Sequence, residues 1–244
     1  RMRLLATVAV SLATLSEWTG ALSQGPQYMS SDVVVVAHRG LSAGFPENTL
    51  AAFRNVIASG VDAIELDLRG TADGEVVVLH DDTLDRTTDG RGEVARMTLQ
   101  GVKALDAGRH AGARFSGERV PTYREVLELA AGTRVHLLLD IKQGGRLSHE
   151  RVVRLTERHA ATLRVVVGVR SVADLREFRA LNPNLRTLGF VPSVDSIAAF
   201  VAAGVDIIRL WPEWMAADAG LVERVHALGK PVWVTAGALP RDGL

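Results

Sequence analysis

Residues 33–50 read VVVVAHRGLSAGFPENTL: four valines in a row, followed almost at once by a histidine, an arginine and a glycine. A continuous β-branched run reads as a strand buried on both faces, because a strand with one wet face alternates apolar and polar residues. Outward from this stretch the pattern repeats. Apolar β-type runs at 63–68, 75–79, 135–141, 164–169, 186–191, 206–210 and 232–235 bring the total to eight. Most are separated by amphipathic segments that carry helix punctuation. NTLAAFRNVIASG spaces Leu50, Phe53 and Ile57 along one face and stops at Gly60. TYREVLELAAG opens with Thr122 and Glu125 at capping-box spacing and stops at Gly132, and SVADLREFRAL and LVERVHALGKP read as helices in the same way. Buried strands alternating with helices predict a parallel sheet, and eight of them favour a TIM-like (β/α)8 barrel over a doubly wound sheet. No glycine-rich phosphate loop opens the first helix, which also counts against the doubly wound alternative. One stretch breaks the rhythm: residues 82–120, polar and rich in glycine, are too many for an ordinary connection and predict a lid-like or binding insertion.

The chain of 244 residues, nearly half apolar, is long enough for one large domain, placed at 32–244. Its 28 basic and 28 acidic residues are interspersed, so a nucleic-acid partner is not expected. Without cysteine there is no disulfide, thiolate metal site or cysteine nucleophile, and carboxylates and histidines must carry the chemistry. Residues 1–31 stand apart. RMRLLATVAVSLATLSEWTGALSQ has two arginines, an apolar run and then small polar residues, like a secretion signal, while Arg1 at the start and Met29 downstream fit translated upstream sequence. The first reading implies a secreted or periplasmic protein and the second a cytoplasmic one. The apolar run is too short for a stable membrane span, which takes ~20 residues. Oligomeric state is not written in the sequence.

The polar residues fall in a pattern. His38 follows VVVVA, Glu65 and Asp67 sit in AIELDL, His80 follows VVVL, and Asp140 and Lys142 end HLLLDIK, each at or near the C-terminal end of a strand, where barrel enzymes assemble their sites. Side chains alternate along a strand, so Glu65 and Asp67 share one face of theirs, and Asp140 and Lys142 one face of theirs. Paired carboxylates on an apolar strand are costly unless cations neutralise them, which a divalent metal ion does best. Taken singly, each residue has a blander reading: a strand-end histidine is commonly a packing residue, Glu65 and Asp67 can pair with Arg69 or Lys142, Arg39 can be a solvated loop cation, and DRTTDG is an ordinary turn. Four strands converging on one rim with His, paired acids, His and Asp/Lys are not explained that way.

Residues 37–90, from AHRG through ENT, ELD and LHD to DRTTDG, closely resemble the glycerophosphodiester phosphodiesterase family, and GERVPTYREVLEL, LLLDIK and VWVTAG continue the likeness in order. The resemblance implies a TIM-like barrel that hydrolyses glycerophosphodiesters to glycerol 3-phosphate and an alcohol with one divalent cation. Carried over by position, His38 and His80 resemble the general acid/base pair, Glu65, Asp67 and Asp140 the metal ligands, Arg39 and Lys142 the phosphate contacts, and Glu47 and Asn48 their supports. Trp233, in the VWV strand, corresponds to a substrate-pocket position. Two departures stand out. Asp140 replaces a glutamate common in the family, as in the related spider-venom phospholipases D, which widens the substrate class. Family members also continue past the tryptophan strand through a helix and a further strand, so barrel closure at the C-terminus is left open.

The chemistry follows physically as well. A phosphodiester anion resists attack until its charge is screened, which a hard cation on oxygen ligands with Arg39 and Lys142 achieves, and two imidazoles can then share proton transfer near neutral pH. Oxygen ligands point to Mg or Ca, with His80 as a further ligand not excluded by sequence. The small-molecule hydrolase has two rivals: a phospholipase-like lyase that releases a cyclic phosphate, and a non-catalytic binding barrel.

Overall fold

The computed structural model describes residues 9–12, 33–40, 44–142 and 147–234, and the valine run is the strand that the sequence predicts. The strands are β1 (Ala9–Leu12), β2 (Val33–Ala37), β3 (Ala63–Gly70), β4 (Val76–Val78), β5 (His136–Ile141), β6 (Val165–Val169), β7 (Arg186–Gly189), β8 (Ile207–Leu210) and β9 (Val232–Val234). The helices are α1 (Leu50–Ser59), α2 (Leu99–Ala104), α3 (Tyr123–Ala130), α4 (His149–Arg158), α5 (Val172–Leu181), α6 (Ile197–Ala202), α7 (Pro212–Ala217) and α8 (Leu221–Ala227). Strands pair in parallel in the order β2-β3-β5-β6-β7-β8-β9, a curled TIM-like sheet whose described strands stop short of a closed barrel. β1 adds to β2 antiparallel. The leader reading concerns residues 1–31, of which only Ala9–Leu12 belong to the described residues, and Thr235 of the last predicted run also lies outside them.

The run at 75–79, expected as a barrel strand, does not enter the parallel ladder. β4 returns antiparallel on β3, pairing Leu68 with Val78 and Gly70 with Val76. The reason is the length of the link: a parallel return needs a crossover of roughly a dozen residues or more, and only Thr71 to Glu75 lie between these strands.

The helix signals behave as read. Thr49 caps α1 by accepting from the Ala52 amide, and Gly60 ends it in the left-handed region at φ 73°. Thr122 and Glu125 form the reciprocal capping box of α3. Residues 82–120 fold around a small core of their own, with Leu84, Val94, Val102 and Val120 packed on Val77 and Leu79. Among the described residues no helix is long and apolar enough to cross a membrane.

Alternation along the strands decides where the site lies. Ile64, Leu66, Leu68, Leu137 and Leu139 face the helices and meet Phe53, Tyr123 and Leu127 in the main core. The opposite, concave face begins with Val36, Ala63, Leu138, Val166, Leu188, Ile207 and Trp233, an apolar floor. Two residues further along β3, β5 and β8 that same face carries Glu65, Asp140 and Arg209.

Candidate active site

The ionic layer above the floor is built around three buried acids. The β3–β5 register sets Asp67 opposite Asp140, with Glu65 one step below on the same face, and one carboxylate oxygen from each lies within 4.8 Å of the others. Burial raises the Glu65 carboxyl well above its ordinary range, and the neighbouring Asp67 and Asp140 push it further. Its supports are few: the Arg39 amide donates to Oε2 at 2.9 Å, and His38 Nε2 stands 3.9 Å from the same oxygen.

Asp67 and Asp140 are better served. The Lys142 ammonium bridges them, 2.7 Å from Asp67 Oδ1 and 2.6 Å from Asp140 Oδ2. Arg170, from the end of β6, grips Asp140 with both terminal nitrogens and also donates to the Ile141 carbonyl at 2.8 Å. Burial alone would raise Asp140, but Arg170 and Lys142 outweigh it and hold the carboxyl below its ordinary value. Asn48 Nδ2 donates to Asp67 Oδ2 at 2.6 Å, and Arg39 Nε makes an ion contact with that oxygen at 3.5 Å.

Two of these residues sit in an unfavourable backbone conformation. Arg39 (φ 51°) and Asn48 (φ 57°) are both left-handed, and the Asn48 amide donates to the Arg39 carbonyl at 3.0 Å. Non-glycine residues pay for such angles, so the ones found here are held by what they do, which is to aim two side chains at Asp67. Gly40, at φ 80°, completes the turn where a β-carbon would strike the Phe53 ring.

Both histidines reach the cleft. His80 donates from Nδ1 to Asp81 at 2.7 Å, which fixes the ring. Arg69 holds the His80 carbonyl with bonds of 3.0 and 2.7 Å. Burial and Arg39 lower the His38 pKa, against the pull of Asp67. Glu47 reaches no acid of the cluster; it pairs with Arg39 at 3.0 Å and with Arg86, which also grips Asp81. Arg86 thus ties the support of Arg39 to the support of His80.

The cleft above, about 410 Å³, is lined by His38, Arg39, Glu65, His80, Asp140 and Lys142 on one side and by Arg170, Phe190, Arg209, Trp211 and Trp233 on the other. All ten residues singled out from the sequence therefore lie at the cleft or within two contacts of it. Sequence reading missed Asp81, Arg170, Phe190, Arg209 and Trp211. Arg170 had a legible signal, since it follows VVVGV as His38 follows VVVVA. Trp233 divides its surface between the cleft and the apolar floor, and its buried Nε1–H has no hydrogen-bond partner among the described residues.

The acid trio fits a divalent cation. Three buried carboxylates converge with one oxygen from each within 4.8 Å of the others, the all-oxygen donor set that a hard divalent ion takes.

The chain is similar to several known proteins. The glycerophosphodiester phosphodiesterase of Caldanaerobacter subterraneus subsp. tengcongensis is 40% identical over 156 residues, covering 63% of this chain and 64% of its own, so the match spans less than two thirds of that relative. The crystal structure of a glycerophosphodiester phosphodiesterase from Agrobacterium tumefaciens superposes with a TM-score of 0.71 at 30% identity, covering 82% of this chain and 84% of its own. A phosphodiesterase from Oleispira antarctica, in complex with the product sn-glycerol-3-phosphate, superposes with a TM-score of 0.72 at 26% identity and 83% coverage of both chains. Residues 38–234, from the first cleft histidine to the end of β9, match the glycerophosphoryl diester phosphodiesterase family, and the chain belongs to that family.

Proposed function

We propose that the protein hydrolyses glycerophosphodiesters to glycerol 3-phosphate and an alcohol, using one divalent cation, Mg or Ca, and the His38/His80 pair. The observation that carries this reading is the convergence of two histidines, three buried acids and four cations on one cleft. The product bound to the Oleispira relative has the chemistry that such a cleft would release.

Glu65, Asp67 and Asp140 would hold the cation, which when bound screens the phosphodiester anion and lowers the barrier to attack. Lys142 and Arg39 bind the phosphate oxygens and orient phosphorus toward the histidines. Among the described cleft residues none carries a hydroxyl or thiol nucleophile, so the attacking oxygen comes from water or from the substrate. The glycerol hydroxyl vicinal to the phosphate is well placed for this role, since intramolecular attack can gain ~7 kcal/mol or more from proximity. One histidine removes its proton and the other protonates the leaving alkoxide; water then opens the cyclic phosphate with the two roles exchanged. Asp81 keeps the His80 ring oriented through both steps. Trp233 forms part of the pocket wall.

The test is turnover of glycerophosphodiesters after chelation and re-addition of Mg or Ca, together with His38→Ala and His80→Ala. Loss on chelation with restoration by the cation, and a fall of about 10²–10⁴-fold in each variant, are expected. Full activity in excess chelator refutes the metal role, and retained activity in either variant refutes the acid/base pair.

A further inference from the structure

We propose that Arg86, from the DRTTDG turn of the insertion, is a positioning residue for the reaction: its guanidinium fixes Asp81 and, through Asp81, the ring of His80. The inference rests on the phosphodiesterase reading of the cleft and adds to it the group that holds the second histidine.

The first observation is how the turn is built. Residues 85–90 read DRTTDG, as a sequence an ordinary turn, but most of its side chains are tied into the insertion. Asp85 Oδ2 accepts from the Gly92 amide at 3.0 Å, Thr88 Oγ1 donates to the Leu84 carbonyl at 2.6 Å, and Asp89 Oδ1 accepts from the Asp106 amide at 2.8 Å. Thr87 is buried, and a β-carbon on Gly90 would strike the Leu105 side chain. Arg86 reaches out of this frame instead. Its Nε and Nη2 fork onto Asp81 at 2.6 and 3.0 Å, and its Nη1 and Nη2 fork onto Glu47 at 2.9 and 2.7 Å. These four charge-assisted bonds use all three guanidinium nitrogens, an arrangement that a compact ammonium cannot reproduce.

The second observation is that the two carboxylates depend on Arg86 unequally. Among the described residues the Asp81 carboxylate has hydrogen bonds only to Arg86 and to His80 Nδ1. The bonds from Arg86 also lead in holding its carboxyl below the usual range, so that it stays ionised and accepts from the ring. Glu47 keeps a further bond to Arg39 at 3.0 Å, and Arg39 is held besides by Asp67 and by its own amide on Glu65. Without Arg86 the phosphate-binding arginine therefore stays anchored, whereas Asp81 keeps only its bond to the ring that it orients. The loss falls on proton transfer rather than on substrate binding. Arg86 is half exposed, so its removal opens no cavity in the core and breaks ion pairs of the kind that add little to stability.

The experiment measures kcat and KM for a glycerophosphodiester in the parent, Arg86→Ala and Arg86→Lys, with Arg96→Ala breaking an exposed ion pair to Glu93 in the same insertion as the control, and compares crystal structures of the parent and the Arg86 variants. Arg86→Ala is expected to lower kcat about tenfold to hundredfold while KM stays within about threefold of the parent, because a misplaced acid/base group is felt in the chemical step. Arg86→Lys restores the charge without the forks and should stay about tenfold or more below the parent in kcat. In both crystals Asp81 should leave its parental rotamer and the His80 ring should turn with it. Parental kcat in Arg86→Ala, a loss confined to KM, an equal loss in Arg96→Ala, or full recovery by lysine each overturns the proposal. Where circular dichroism shows the alanine variant unfolded, Arg86→Lys decides by the same kinetics and structure. Absence of turnover in the parent refutes the phosphodiesterase reading instead; the crystals then decide alone, and Asp81 and His80 in unchanged rotamers count against Arg86.

Discussion

Asn48 makes a testable connection between backbone strain and the acid cluster. It is buried, left-handed at φ 57°, and bonded twice to Asp67: Nδ2 donates to Oδ2 at 2.6 Å and Oδ1 accepts from the Asp67 amide at 3.3 Å. Asn48→Ala removes both bonds and puts a residue with no affinity for that conformation in its place. Losing a hydrogen bond to a buried charge costs about 2 kcal/mol, and holding alanine in the left-handed region costs about 1 kcal/mol more. The expected loss of about 3 kcal/mol corresponds to a fall in Tm of about 6–12 °C for a domain of this size. Asn48→Gly loses the same bonds without the backbone penalty, so it should be the more stable variant by about 1 kcal/mol, reversing the usual order of alanine over glycine. Urea denaturation followed by circular dichroism measures both. An alanine variant within 1 kcal/mol of the parent, or a glycine variant less stable than alanine, would refute the link.

Two further expectations follow from other contacts. Burial tends to raise the Glu125 carboxyl, but the Lys103 ammonium at 2.8 Å and the Thr122 donors outweigh it and hold its pKa below the ordinary value. A depressed carboxyl stabilises the fold above its unfolded pKa of ~4.3 and loses that contribution as pH falls through the folded value, so Glu125→Gln should be destabilising at pH 7 and progressively less so below pH ~4, the effect being limited by solvent screening; a pH-independent difference in urea midpoint would count against it. In Gly168→Ala the new β-carbon would collide with the Phe190 ring and sit 2.9 Å from the Leu139 carbonyl oxygen, so Phe190 should be displaced from the cleft wall and kcat/KM should drop more than stability does, which parallel kinetics and thermal unfolding can separate.

What was legible in the sequence was what alternation writes. The valine run, the pairing of Glu65 with Asp67 on one face and the capping box at Thr122 each depend on a few neighbouring residues, and each is found in the structure. The run at 75–79 misled because an apolar strand looks the same whether helices or a hairpin partner bury it; the short link to β3 held the distinction. Arg209 was illegible for another reason. Inside DIIRL it looks like a polar interruption of a buried strand, and Phe190 and Trp211, from just past the ends of β7 and β8, lie against its guanidinium. The small core under residues 82–120 was equally hidden, since Leu84, Val94, Val102 and Val120 follow neither a period of 2 nor one of 3.6.

The position of the ionic layer matters as much as its members. On β3, β5 and β8 the step from floor to site is two residues, Ala63 to Glu65, Leu138 to Asp140 and Ile207 to Arg209, a rise of about 7 Å. Charges that close to a dry floor are poorly solvated from below, and their mutual interactions are correspondingly stronger than in water. That environment raises Glu65 and, through the loss of hydration, lowers Arg209 to about 10. Lys142, Arg170, Asn48 and Arg39 bind the acids from the sides, so each of these residues stabilises the fold and shapes the cleft at once. Truncating one should therefore destabilise the protein and impair the site together, a joint loss that thermal unfolding and kcat/KM measured on the same variant would show.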